Sequence, residues 1–293
     1  MDKDKIEATY LIAENAIKGM LLEVACTPKP GLVDRKNNGA NTDMDFILFS
    51  ISSASICQYF RRFVMLGLES ADLDGAFLEV LRREGVKAEK NMFRATAGIN
   101  TQKGLIFIMG LICAAAGRIL KRERRISHGS ISEEISLITS GICSKELGTL
   151  ANADRNVLLS KGEKLYLKFG VTGIRGEVEN GLPSIMNYGL PELLVSLSNG
   201  MSFNDSMVNA LLKIMSISED TNVIARSDYE TLKTQVQPMA SNALKCGGMS
   251  TVKGRSLIFT MDEYFISHNI NPGGSADLLA ATVALYLIDK MQN

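Results

Sequence analysis

Metal-type cysteine spacing, strand alternation, an export signal and net charge are what this sequence lacks. Lysine plus arginine number 32 and aspartate plus glutamate number 32, so no overall field draws the chain to nucleic acid or to an anionic membrane surface. Any anion it binds must be held by local groups. Five cysteines (Cys26, Cys57, Cys113, Cys143, Cys246) are scattered without CxxC spacing and read as reduced thiols rather than a zinc site or a disulfide frame. The two histidines, His128 and His268, read as surface or hydrogen-bonded structural residues. Residues 1–6 are highly charged with no apolar region behind them, unlike a signal peptide, and the expected location is the cytoplasm. The longest apolar run, residues 105–116, is broken by Gly110 and followed by Arg118, Lys121 and Arg122. It is shorter than the stretch needed to cross about 30 Å of hydrocarbon and reads as a buried core helix.

What is abundant is helix-period hydrophobicity, in a chain 46% hydrophobic and 22% charged that can bury a large core. Ile6, Tyr10, Ala13, Ile17, Met20, Leu21 and Val24 recur at spacings of three and four, and Pro28 and Pro30 end that helix. Asp43 is expected to cap a second helix running to about Leu66, whose serines and alanines suit a central, closely packed position. The same periodicity recurs near residues 73–95, 104–120, 131–148, 184–197, 205–216, 229–246 and 275–291. Pro183 and Pro191 suit first-turn positions; Asn204 or Asp205, and Ser275, suit caps. Residues 121–125 read as a solvated helix end, and the single strand candidate is 256–260. The expectation is an all-α fold, one domain over residues 1–293, a compact bundle of about ten helices.

Four glycine-rich polar segments interrupt the helices: residues 27–45, 98–104, 170–181 and 271–277. Loops of this kind are where a helical scaffold carries chemistry, and they are expected to converge in one cleft. In the first, two prolines stiffen a loop bearing Lys29, Asp34 and Arg35, and Asp43 and Asp45 open a helix. These aspartates either cap or hold a Mg²⁺ that in turn holds a polyphosphate, since magnesium takes one or two carboxylates plus phosphate oxygens. An EF-hand is excluded because Lys36 stands where the loop's third position needs an oxygen ligand. The second segment, through Asn100, Thr101, Gln102 and Lys103, leads into an apolar helix and suits a phosphate at the helix N-terminus, although Asn100 or Thr101 can equally cap it. It lacks Walker spacing. The third carries Arg175 and Glu177, and the fourth sets Gly273, Gly274 and Ser275 before Asp277 at another helix start. Asp220 and Arg226 add a carboxylate, readable as a helix terminator, and a cation.

Several words in this order resemble the triphosphoribosyl-dephospho-CoA synthase family, which serves citrate lyase and, in a related branch, malonate decarboxylase. They are TPKPGLVDR at 27–35, NNGA and DMDF at 37–46, INTQKG at 99–104, GIRGE at 173–177, DTNV at 220–223 and PGGSADLLA at 272–280, with Glu23-Val24-Ala25 ahead of them. The family's pattern carries histidine where this chain has Asn41 and Gln102; amides can replace histidines that only hydrogen-bond. The resemblance implies a helical enzyme with ATP and 3′-dephospho-CoA as substrates. It implies attack of the acceptor's ribose 2′-hydroxyl on C1 of the ATP ribose, release of adenine, and passage of the product to a separate transferase acting on an acyl-carrier subunit. On that reading Lys29, Arg35, Lys103, Arg175, Arg226, Gly273, Gly274 and Ser275 bind phosphate. Asp34, Glu177 and Asp277 are the candidate catalytic carboxylates, and Asp43, Asp45 and Asp220 the magnesium ligands. No membrane or nucleic-acid partner is expected, and a homodimer is compatible. The rival readings are a magnesium-dependent hydrolase of nucleotide or ADP-ribose linkages and a non-catalytic nucleotide-binding partner.

Overall fold

A computed structural model describes residues 3–70, 76–148, 150 and 159–291. Residues 1–2 of the charged start and 73–75 of the third expected helix lie outside the described residues. The first half contains α1 (Lys3–Ala25), α2 (Phe46–Glu69), α3 (Phe77–Ala95), α4 (Lys103–Lys121), α5 (His128–Ile138), α6 (Ile142–Glu146), α7 (Lys161–Phe169) and α8 (Ile174–Glu179). The second contains α9 (Leu190–Ser198), α10 (Phe203–Met215), α11 (Thr221–Arg226), α12 (Tyr229–Thr231), α13 (Gln237–Lys245), α14 (Val252–Ser267) and α15 (Gly273–Lys290). The fold is all-α, with no strand among the described residues. The expected number of about ten is exceeded because several elements are short. The expected helix 131–148 breaks at Gly141, whose φ of 76° only glycine adopts freely, and α6, α8, α11 and α12 are fragments too brief for periodicity to register.

The middle of the bundle is α4, fourteen of whose nineteen residues are buried, with α1, α2, α3, α5 and α15 packed around it. A helix so enclosed has no polar face to keep, which is why its sequence is apolar all round. At 19 residues it is long enough to span a bilayer, contrary to the expectation from its length, yet 78% of its apolar window is buried inside the fold. Packing, not shortness, makes it a core helix. Of the serines expected to pack closely in α2, Ser52 and Ser53 are buried, and the closest approach is made by glycines: a Cβ on Gly67 of α2 would stand 2.0 Å from the Ala114 carbonyl oxygen, and one on Gly117 of α4 2.1 Å from that of Val64. Only bare Cα atoms let α2 and α4 approach so closely. Gly19 does the same for α1 against α15, with Ala280 O at 2.6 Å. At the far end Arg118, 2% exposed, donates to Glu134 at 2.6 Å and to Ser70 Oγ at 2.6 Å, while Arg122 reaches Glu134 at 2.8 Å. A buried charge is tolerated there because it is paired and hydrogen-bonded.

Five local expectations are corrected. Residues 256–260 lie inside α14, where Ile258 is fully buried, so a short β-branched and aromatic run gave a false strand signal. Asp45, not Asp43, caps α2 by accepting from Leu48 N at 2.7 Å. Ser202 caps α10, and α15 begins at Gly273 after an uncapped Pro272, leaving Ser275 inside its first turn. Asp220 begins a helix instead of ending one. Pro183 and Pro191 do fall at first-turn positions. The helical runs containing Pro191 and Pro238 each widen into a π-turn just before the proline, at Ile185–Gly189 and Leu232–Val236. The wider turn accommodates a residue that has no N–H to donate and whose ring crowds the preceding carbonyl.

Candidate active site

All four glycine-rich segments reach one cleft of about 690 Å³. It is bounded by the first turns of α4, α8, α11 and α15, with the loop after α1 closing one side. Gln102 and Pro272, which immediately precede the two long helices, make no capping hydrogen bond, but Asn100 Oδ1 accepts from Lys103 N at 3.2 Å, one of the caps expected for α4, and Asp220 accepts from Ser275 N at 2.7 Å. The rest of the first-turn N–H groups and the positive dipole ends of α4 and α15 face the cleft, an arrangement that favours an anion.

The loop after α1 is a rigid wall, and Asp34 is what holds it. Its Oδ2 accepts from Lys29 N at 3.1 Å, and its Oδ1 from Lys36 N at 2.6 Å and Asn37 N at 3.0 Å. From α14, Asp262 accepts from Gly31 N at 3.0 Å and Asn37 Nδ2 at 2.9 Å. Asp262 sits mid-helix with no turn residue nearby, so no local signal marks it. Gly31 has φ of 71°, and a Cβ there would lie 2.4 Å from Ile270 O; the loop cannot take a side chain at that point. Asn41, in one of the places where the family pattern carries histidine, joins three segments: its Oδ1 accepts from Arg226 Nη2 at 3.0 Å and Asn271 Nδ2 at 2.9 Å, and its Nδ2 donates to Asn38 O at 3.1 Å. Gln102, in the other, is 2% exposed and exchanges hydrogen bonds with Ser52 and Ser53. Both amides are held by hydrogen bonds to side chains of other segments.

Of the expected site residues, Lys29, Asp43, Lys103, Glu177, Asp220, Arg226, Gly273, Gly274 and Asp277 line the cleft, and Asp34, Arg35, Asp45, Arg175 and Ser275 do not. The second group has other work. Asp45 caps α2; the Arg35 guanidinium points to Asn204 at 3.5 Å; Arg175 Nε donates to Glu146 at 2.7 Å; and Ser275 donates both N and Oγ to Asp220, at 2.7 and 2.9 Å. Asp220 lines the wall with its carboxylate already full, since its other oxygen accepts from Asn222 N at 2.9 Å and Val223 N at 3.3 Å. A cap so saturated has little left for a metal.

Three acidic groups remain to be placed. Glu23, which sequence reasoning did not select although it stands in one of the family words, is 4% exposed on the cleft wall and accepts a short hydrogen bond from Lys29 Nζ. Burial raises its carboxyl above the usual range and the lysine opposes that rise. Glu177 is raised by burial against hydrogen bonds from the Ser184 hydroxyl and, at 3.2 Å, Ser184 N. Asp277 differs from both, having no hydrogen bond or ion pair among the described residues. Its Oδ2 rests against α4 where a Cβ on Gly104 would lie 2.4 Å away. Burial, then the negative charges of Glu23 and Asp220, hold its carboxyl well above the ordinary aspartate value. An unpartnered carboxylate with raised proton affinity in a cleft suits general base work.

Among the described residues no three His, Cys, Asp or Glu side chains are grouped to hold a metal. Magnesium carried in on a polyphosphate would need only one or two protein carboxylates; Asp43 is exposed on the cleft rim and not engaged in capping.

Residues 9–293 match the family described as ATP:dephospho-CoA triphosphoribosyl transferase. The chain is 39% identical over 276 residues to a probable 2-(5''-triphosphoribosyl)-3'-dephosphocoenzyme-A synthase of Malonomonas rubra, covering 93% of this chain and 86% of that protein. It is 38% identical to proteins of the same name from Albidiferax ferrireducens, covering 96% and 91%, and from Vibrio cholerae serotype O1, covering 94% and 87%. No solved structure matches it.

Proposed function

Since this chain belongs to the ATP:dephospho-CoA triphosphoribosyl transferase family, we propose that its cleft moves the 5-triphosphoribosyl group of ATP onto the ribose 2′-hydroxyl of 3′-dephospho-CoA. The observation that carries the reading is the pairing, in one cleft, of two helix N-termini for phosphates with Asp277, unpartnered among the described residues, for a proton. In the step, the acceptor 2′-oxygen bonds to C1 of the donor ribose as the bond from C1 to adenine N9 breaks. The hydroxyl proton passes to the Asp277 carboxylate, and adenine leaves with the electron pair and is protonated. Glu177, fixed by Ser184, stands as a second charge able to stabilise the oxocarbenium-like centre. Lys29 is tied to Glu23, so its contribution is to fix that buried pair and the loop. Asp43 would hold magnesium, which when bound would neutralise triphosphate charge. The product would be 2′-(5″-triphosphoribosyl)-3′-dephospho-CoA, for a separate transferase that loads the acyl-carrier subunit of citrate lyase.

Chromatographic assay of adenine from ATP, with and without dephospho-CoA, tests the proposal. Adenine formed only with acceptor, with the mass of the conjugate appearing in step, is the expected result. Adenine formed equally without acceptor would make the protein a hydrolase, and none under either condition would leave a binding role.

A further inference from the structure

Four cationic side chains line the cleft: Lys29, Lys103, Lys161 and Arg226. Three are engaged by the protein. Lys29 is bound to Glu23, Lys103 Nζ is 3.1 Å from Glu89 Oε2, and Arg226 donates to Ala40 O and Asn41 Oδ1, both at 3.0 Å. Lys161 alone has no partner among the described residues. Its helix is nevertheless anchored at both ends. Ser160 and Glu163 form a capping box at the start, Gly162 lies where a Cβ would be 3.8 Å from Arg175 Nη1, and Phe169 stacks on Tyr229 with ring centroids 5.0 Å apart at 14°. Arg175 thus supports the helix that carries Lys161.

Depth orders the cleft. Glu23 and Lys29 are 4% and 2% exposed, whereas Lys103 and Lys161 stand exposed at the rim. A base must lie beside the reacting ribose carbon, so the donor ribose belongs at the inner end with Asp277. The triphosphate on its C5 then extends toward solvent. We propose that Lys161 recognises the outer end of the triphosphate and so selects a nucleoside triphosphate over a diphosphate, an inference that rests on the donor-site reading above. An ammonium without a partner forms its charge-assisted bond only when the phosphate arrives and gives up no ion pair in doing so.

Calorimetry on the full chain with magnesium, using ATP, ADP and inorganic tripolyphosphate, tests this for the native protein, Lys161→Met and Lys161→Arg. The methionine variant should lose about tenfold in ATP and tripolyphosphate affinity with ADP affinity little changed, and arginine should restore most of the difference. Equal loss for ATP and ADP, or no loss for either, overturns the inference. The readout does not depend on transfer: a native protein with the expected binding pattern but no adenine release supports the inference while refuting the transferase reading. A native protein that binds neither ATP nor tripolyphosphate refutes both.

Discussion

Asp277→Asn should make the protein more stable and catalytically dead, and the two effects have one origin. The carboxylate is held against α4 without a hydrogen-bond partner, facing the charges of Glu23 and Asp220. A fully buried polar group left unsatisfied costs about 1–3 kcal/mol, and Asp277 is only half-buried on the cleft wall, so its penalty lies at or below the lower end. Asparagine keeps the shape and removes the charge, so a gain of up to about 1 kcal/mol is expected at neutral pH, equivalent to about 2 °C in Tm for a chain of this length. The pH dependence fixes the sign. Because the folded carboxyl is raised above its ordinary value of 3.8, the native residue's stability is full below that value and is lost as pH rises through the folded pKa. The advantage of asparagine should therefore be largest at pH 8 and shrink as the solution is acidified. Loss of the base should lower turnover by about 10²–10⁴-fold. Scanning calorimetry across pH together with the adenine assay checks both. A variant less stable than the native protein at pH 8, or one that turns over normally, would refute the assignment.

Gly104→Ala and Gly67→Ala separate site geometry from packing. The first sets a Cβ 2.4 Å from the Asp277 carboxylate, a side-chain end that can move, so turnover should fall at least about tenfold by the adenine assay with Tm little changed. The second sets one 2.0 Å from a backbone carbonyl oxygen and should cost about 1–3 kcal/mol in urea unfolding with the site intact; the reverse pattern would contradict the close-packing account. Glu134→Gln removes the carboxylate that pairs with buried Arg118 and should destabilise by about 3–5 kcal/mol, a loss below 1 kcal/mol showing that the pair is dispensable. Asp43→Asn should raise the magnesium concentration needed for half-maximal turnover, whereas Asp45→Asn should change neither that value nor Tm appreciably, because asparagine caps as well as aspartate. Equal magnesium responses in the two variants would remove Asp43 from the site.

The helical class, the core and the family were legible from residue order because each is written locally. Periodicity marks helices that bury a continuous stripe, and the glycine and proline words mark backbone paths that few other residues can follow. Val252–Ser267 escaped because the run 256–260 reads as a strand, although the buried Gly254, Ile258, Met261 and Phe265 keep the helical spacing, and α8 and α11 because a six-residue helix has no period to read. The site was legible as a set of segments but not as a set of roles. Asp34, Asp43, Asp45, Asp220 and Asp277 are alike in one dimension, each an acid beside a turn. Only the folded chain shows that the first ties a loop, the third and fourth cap helices, the second stands free at the rim and the last is left without a partner. The same holds for the cations, where Lys29 is closed by a glutamate six residues back and Lys161 has no partner among the described residues. Residue type specifies what a side chain can bind; its hydrogen-bond partners and burial, fixed by segments distant in sequence, decide what remains free to bind.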